Sequence, residues 1–200
     1  MTGRDRGLLT VPNLISIIRL LCIPLFCWLL FDGSRYAAFV LLAVLGATDW
    51  VDGWIARRFD QTTEIGKVLD PTADRLLLLV AAIALIVDGA VPAVIGIAVL
   101  AREAIVGGAT LALAVAGAAR IDVQWVGKAG TFALMFALPG FLWVDVLDLG
   151  TARDVIEGLT WFATAGGLLL SYYAAARYVP LAREALRTGR AARTPAKATA

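Results

Sequence analysis

Long apolar runs separated by short polar links set the expected architecture of this chain. The first run opens at Pro12-Asn13 and stays apolar to about Phe31, where Asp32-Gly33-Ser34 is a turn signal. A second covers about Tyr36 to Phe59, and a third starts between Gly66 and Pro71 and reaches about Val87, before a turn at Asp88-Gly89. Pro92 suits the first turn of a fourth, which runs to about Ala118. Arg120 to Gln124 form a polar link to a fifth, about Trp125 to Leu147, in which Pro139-Gly140 predicts a kink. Asp148 to Asp154 lead to a sixth, about Val155 to Val179. Roughly 20 apolar residues span a bilayer as helix. Lipid admits only helices or closed barrels, and the alternation of barrel strands is absent. The pattern therefore predicts an all-α integral membrane protein with six transmembrane helices: a short segment over 1–10, a six-helix domain over 11–180 and a basic tail over 181–200. The first run is too long for a signal-peptide core, and no small-residue cleavage site follows it before the next span, so it reads as a retained helix.

Composition agrees: the 200 residues are 60% hydrophobic, with mean hydropathy +0.80, more apolar than a soluble domain. The net charge of +2 says little, but its distribution orients the chain. Arg4, Arg6, Arg57, Arg58, Lys67, Arg120, Lys128 and the tail's Arg183, Arg187, Arg190, Arg193 and Lys197 fall on one side of a six-span topology; Arg35 and Arg153 fall on the other. The positive-inside rule puts both termini and residues 49–74 at the cytoplasmic face of the cell membrane. The tail could meet anionic headgroups; ordinary positive-inside topology explains it as well. Cys22 and Cys27 are five apart, share no helix face and read as small apolar fillers. No internal repeat stands out, and nothing points to nucleic acid as a partner. The chain has no histidine, so acid–base chemistry falls to carboxylates, lysine, tyrosine or water, and any metal should be a hard, oxygen-binding ion.

Charged chemistry concentrates in residues 49–74, DWVDGWIARRFDQTTEIGKVLDPTAD. Asp49, Asp52, Gly53 and Ala56 fall at i, i+3, i+4 and i+7, one face of a helix. Asp70 and Asp74 fall at i, i+4, and Gly66 extends that face if the third helix begins early. Pro71 is tolerated near a helix start. Two neighbouring helices could thus point two pairs of carboxylates at each other. Unpaired, four carboxylates in one cleft would repel and desolvate each other. Divalent ions remove that conflict, and the donor set favours Mg²⁺ or Mn²⁺. Four aspartates suit two ions, an arrangement used in phosphoryl transfer. Gly53, Ala56 and Gly66 leave room for a flat nucleotide, and Arg57 is placed to meet a phosphate. Two other readings stay open at this point. One is the cation or proton site of a coupled transporter; the other is a structural network of the aspartates with Arg57, Arg58, Lys67 and Arg75.

The same stretch can be written D-x2-D-G-x2-A-R-x8-G-x3-D-x3-D, with all eight positions filled by Asp49, Asp52, Gly53, Ala56, Arg57, Gly66, Asp70 and Asp74. It resembles the signature of the CDP-alcohol phosphatidyltransferases. The six spans and the opening Val11-Pro12-Asn13-Leu14-Ile15-Ser16 with Arg19 extend the likeness over most of the chain, excluding the tail. The resemblance implies that Asp49, Asp52, Asp70 and Asp74 bind the metal ions and that Asp74 is also the general base. It implies a CDP site at Gly53, Ala56, Arg57 and Gly66. It further implies a homodimer, a lipid-open cytoplasmic cavity, and transfer of the phosphatidyl group of CDP-diacylglycerol to an alcohol with release of CMP.

The acceptor is read further along. Phosphatidylglycerophosphate synthases of this family tend to carry G-K-x-K-T-x2-Q at the start of the fifth helix. Here Gly127, Lys128 and Thr131 match, but Gly130 stands at the second lysine and Leu134 at the glutamine. Glycerol 3-phosphate would lose a cationic partner and a hydrogen-bonding group. Together with Thr48-Asp49-Trp50 and Val126-Gly127-Lys128-Ala129, this looks like the cardiolipin-synthase branch, whose acceptor is phosphatidylglycerol. Glycerol 3-phosphate is the alternative acceptor. Arg102, Arg120 and Lys128 are candidates for the acceptor's phosphate. Arg102 lies inside a span and needs a partner, expected to be a motif aspartate if not the acceptor, with Glu103 a member of the same polar cluster. Trp50, Trp54, Trp125 and Trp161 fit interfacial anchoring, and Gly107-Gly108 and Gly166-Gly167 permit close helix approach.

Overall fold

The computed structural model describes residues 10–58, 66–116, 125–148 and 150–193; the side chains it describes exclude those at 12, 49–58, 67, 111, 113–114, 178–179 and 181–193. These residues form α1 (Val11–Phe31), α2 (Arg35–Arg58), α3 (Gly66–Asp88), α4 (Ala93–Val115), α5 (Trp125–Val146) and α6 (Thr151–Arg193). There is no strand among the described residues.

Local chemistry sets the helix ends. Thr10 holds an extended backbone before α1, and a proline occupies the first turn, where its missing N–H breaks no bond. At the other end Gly33 adopts φ 88, the Ser34 N–H reaches Leu29 O at 3.0 Å and the Gly33 N–H reaches Leu30 O at 3.4 Å. This paired closure of the last carbonyls needs a left-handed residue, which glycine supplies without a Cβ penalty. Gly89 does the same after α3 with φ 86. Pro92 stands just before α4, and its carbonyl accepts the N–H of Ile95 and of Gly96. α3 begins at Gly66, the early start that carries Gly66, Asp70 and Asp74 on one helix, and it continues past Pro71.

α6 departs from expectation. Residues 151–154 belong to the helix rather than to a link, and Asp154 lies in the first turn, where a carboxylate meets the positive end of the helix dipole. At the far end α6 continues through Pro180 to Arg193, so the first 13 residues of the expected tail, 181–193, are helical. The reason is composition: alanine, leucine, arginine and glutamate favour helix strongly enough to continue past one proline.

α1, α4 and α5 contain windows long and apolar enough to cross a membrane. α2 has a shorter apolar stretch, Arg35–Thr48, before its acidic end, and α3 carries Asp70, Asp74 and Arg75 in its first half. α1 packs on α2 and α3, α2 on α5, α3 on α4, α4 on α6 and α5 along α6. Phe26, Leu42, Leu77, Leu85, Leu134 and Leu142 lie in one core cluster shared by α1, α2, α3 and α5. Between helices in lipid, close packing rather than the hydrophobic effect supplies the attraction, and α5 and α6 show it. A Cβ on Gly130 would stand 2.4 Å from Ser171 Oγ, and one on Gly167 would stand 2.9 Å from Leu134 Cγ.

Arg35 ties three helices at the end opposite Gly66. Its Nη2 lies 2.8 Å from Asp88 Oδ2, and its Nη1 lies 2.6 Å from Asp145 Oδ2.

Candidate active site

Asp70 and Asp74 stand one turn apart on the face of α3 that meets α1. From α1, Asn13, Ser16 and Arg19 repeat at i, i+3 and i+6, and all three are buried. This polar rib faces the aspartates. Ser16 Oγ donates to Asp70 Oδ1 at 3.2 Å. Arg19 Nη1 donates to Asp74 Oδ1 and lies 3.7 Å from Asp70 Oδ1. The Arg19 side chain is fully buried, whereas those of Asp70 and Asp74 keep 39% and 26% exposure. One permanent positive charge is therefore seated behind two carboxylates that still reach an opening. Arg19 is the residue that motif reasoning passed over, entering only as part of a family likeness. A charge inside the first apolar run is itself a signal, because an ionised group there needs a partner.

The other half of the acidic motif lies on α2. Asp49, Asp52, Gly53, Ala56 and Arg57 occupy its last turns, and their side chains fall outside the described ones. Gly66 opens α3, half-buried. Asp70 and Asp74 form an oxygen-only, partly exposed pair, a donor type that fits a hard divalent ion. Among the described residues, no three carboxylate, cysteine or histidine groups gather at one point.

Of the candidates for the acceptor's phosphate, Arg120 lies outside the described residues. Lys128 is exposed in the first turn of α5. Arg102 is buried and donates to the neighbouring carboxylate of Glu103, so Glu103 is its direct partner. Its Nη2 also reaches Thr131 Oγ1 at 3.0 Å, and that hydroxyl donates to Gly127 O. Arg102 thereby connects α4 to the threonine of the α5 pattern. Gly130 and Leu134, where that pattern diverges, turn instead into the α5–α6 seam: Gly130 abuts Ser171, and Leu134 is 1% exposed. Neither position offers a side chain to an acceptor. Of the structural network expected of the aspartates with Arg57, Arg58, Lys67 and Arg75, the first three side chains lie outside the described ones, and Arg75 has no ion pair among the described residues; the cation paired with Asp70 and Asp74 is Arg19, which that expectation did not include. A cavity of about 220 Å³, lined by residues including Pro92, Asp145, Arg153 and Glu157, lies at the Arg35 end, away from Asp70 and Asp74.

Comparison with known proteins fits this arrangement. The family model for CDP-alcohol phosphatidyltransferase matches residues 9–173. The chain is 35% identical over 190 residues to a cardiolipin synthase (CMP-forming) of Streptomyces coelicolor, covering 92% of this chain and 87% of that protein. It is 37% identical over 135 residues to a putative cardiolipin synthase of Mycobacterium tuberculosis, covering 67% of this chain and 65% of that protein. It is 32% identical over 181 residues to a CDP-diacylglycerol–glycerol-3-phosphate 3-phosphatidyltransferase of Escherichia coli K12, covering 84% of this chain and 94% of that protein. With the eight-position motif filled and its second aspartate pair set against α1, this chain belongs to the CDP-alcohol phosphatidyltransferase family.

Proposed function

We propose that the chain transfers the phosphatidyl group of CDP-diacylglycerol to phosphatidylglycerol, forming cardiolipin and CMP in phospholipid biosynthesis. Relatives bearing two different acceptor names match it at similar identity, 35% and 32%, so identity does not choose between them. The observation that carries the choice is the α5–α6 seam. Gly130 and Leu134 are spent on helix packing, leaving no second cation and no amide there for a dianionic, water-soluble acceptor. Thr131 and Lys128 remain as polar groups at that helix start.

In this reading all six helices cross the cell membrane, both termini and the aspartates face the cytoplasm, and the protein works as a homodimer. Asp49, Asp52, Asp70 and Asp74 hold two Mg²⁺ or Mn²⁺ ions, while Gly53, Ala56, Arg57 and Gly66 accommodate the CDP group. Bound ions supply neutralisation of the pyrophosphate and stabilise charge on departing CMP. The protein's own groups do the rest. The acceptor hydroxyl oxygen forms a bond to the phosphatidyl phosphorus as the bond from that phosphorus to the CMP oxygen breaks. Asp74 takes the hydroxyl proton. Arg19 fixes the orientation of Asp74 from behind, through the oxygen it already occupies. Ser16 holds Asp70 in the same way. Arg102 and Lys128 lie on the helices expected to receive the acceptor, and Arg120 joins them in the 4–5 link.

The test is product identification. Purified protein is given CDP-diacylglycerol with phosphatidylglycerol, glycerol 3-phosphate or inositol phosphate in separate reactions. Cardiolipin from the first is the expected result; product from glycerol 3-phosphate alone assigns the chain to phosphatidylglycerophosphate synthesis instead.

A further inference from the structure

We infer that Arg75 is a binding residue for the phosphodiester of a membrane lipid, held in the groove between α3 and α4. The identity of that lipid, the acceptor phosphatidylglycerol, rests on the function proposed above; the site itself rests on the α3–α4 face. Arg75 follows Asp74 directly but points elsewhere around the helix. It is exposed, and it has neither an ion pair nor a hydrogen bond among the described residues. Its companions on the outer face of α3 are mostly apolar: Val68 is 69% exposed, Leu76 42% and Ile83 50%, and the hydroxyl of Thr72 is turned onto the helix's own Val68 carbonyl. A cation on an otherwise lipid-compatible face requires an anion.

Depth favours a lipid headgroup as that anion. From Leu76 to Val87 α3 has no charged residue, a rise of about 17 Å. Arg75 is the last charge before that run, on the cytoplasmic half of α3 in the proposed topology. Across the groove, the guanidinium rests against Gly107 of α4, where a Cβ would stand 3.4 Å from Nη1, and a Cβ on Gly108 would meet nothing within 4 Å. There is therefore open space beside a guanidinium that has no partner among the described residues, and its fork of donors matches two phosphate oxygens. The donor's nucleotide is expected at the α2 end and Gly66. The glycerol headgroup of phosphatidylglycerol puts its free hydroxyl only three carbons from its phosphate ester oxygen. A lipid anchored at Arg75 is thus held one residue along α3 from Asp74, on the neighbouring face of the helix.

The experiment uses the full chain and the variants Arg75→Gln and Arg75→Lys. Cardiolipin formation is measured against phosphatidylglycerol concentration at saturating CDP-diacylglycerol and Mg²⁺. Thermal stabilisation by phosphatidylglycerol, with phosphatidylcholine as control, is measured separately without CDP-diacylglycerol. Arg75→Gln should raise the KM for phosphatidylglycerol about tenfold, with kcat falling far less. It should also lose the stabilisation specific to phosphatidylglycerol, and Arg75→Lys should recover part of both. An unchanged phosphatidylglycerol KM and stabilisation in Arg75→Gln would overturn the inference, as would a rise confined to the KM for CDP-diacylglycerol. Should the wild type make no cardiolipin, the acceptor reading fails and the stabilisation arm alone decides. Loss of the shift in Arg75→Gln then keeps the lipid site, and an unchanged shift removes it.

Discussion

Asp74 is anchored from inside the bundle and still reaches the surface. One carboxylate oxygen receives Arg19 from within the bundle, and the carboxylate stays partly open on its other side. The general base of the proposed mechanism needs a fixed orientation, and Arg19 supplies one. Arg19 also counters the repulsion that two carboxylates one turn apart would otherwise feel. Removing it leaves them without that buried counter-charge. Breaking a fully buried pair costs about 3–5 kcal/mol, and the partial exposure of Asp70 and Asp74 lowers the figure here to about 2 kcal/mol. Arg19→Gln should therefore melt several degrees below wild type in EDTA, and Mn²⁺ should recover a larger share of stability in the variant than in wild type. Equal Mn²⁺-induced shifts in the two proteins would show that Arg19 does not share these carboxylates with the metal.

Helices were legible where periodicity and turn chemistry agreed. Asp32-Gly33-Ser34 and Asp88-Gly89 close α1 and α3 as their residues demand, and Asp70 and Asp74 fall on one face because α3 starts at Gly66. Two things were not legible. Pro180 and the cationic composition after it read as an end, yet the helix formers beyond carry α6 to Arg193. Spacing along a single helix also cannot say which neighbour a face meets. The sequence marks Gly130 and Leu134 as departures from a pattern, but only packing turns them toward α6. That seam is testable at its tightest point. Gly130→Val places a side chain into Ser171 and should cost about 1–3 kcal/mol by overpacking, read as a lower melting temperature. An unchanged melting temperature would mean that α5 and α6 do not touch there.

Among the described residues, ion pairs mark both ends of the bundle, with the buried Arg102–Glu103 pair between them. At one end, Arg35 clasps Asp88 and Asp145 and so fastens the ends of α2, α3 and α5. Half-exposed pairs are worth at most about 1 kcal/mol each. Arg35→Ala should lower the melting temperature modestly and leave the KM for CDP-diacylglycerol unchanged; a raised KM would tie the clasp to the active site. At the other end stand Asp70, Asp74 and their α1 rib, with the α2 aspartates expected to complete the group. The central claim is that this acidic end performs metal-dependent phosphatidyl transfer with Asp74 as base. The most direct measurement is CMP release from CDP-diacylglycerol in the presence of phosphatidylglycerol, by wild type and by Asp74→Asn, each with Mg²⁺ and with EDTA. Wild type should release CMP only with the metal, and Asp74→Asn should be slower by about 10²-fold or more while remaining folded. CMP release that survives EDTA, or a fully active Asp74→Asn, would contradict the account.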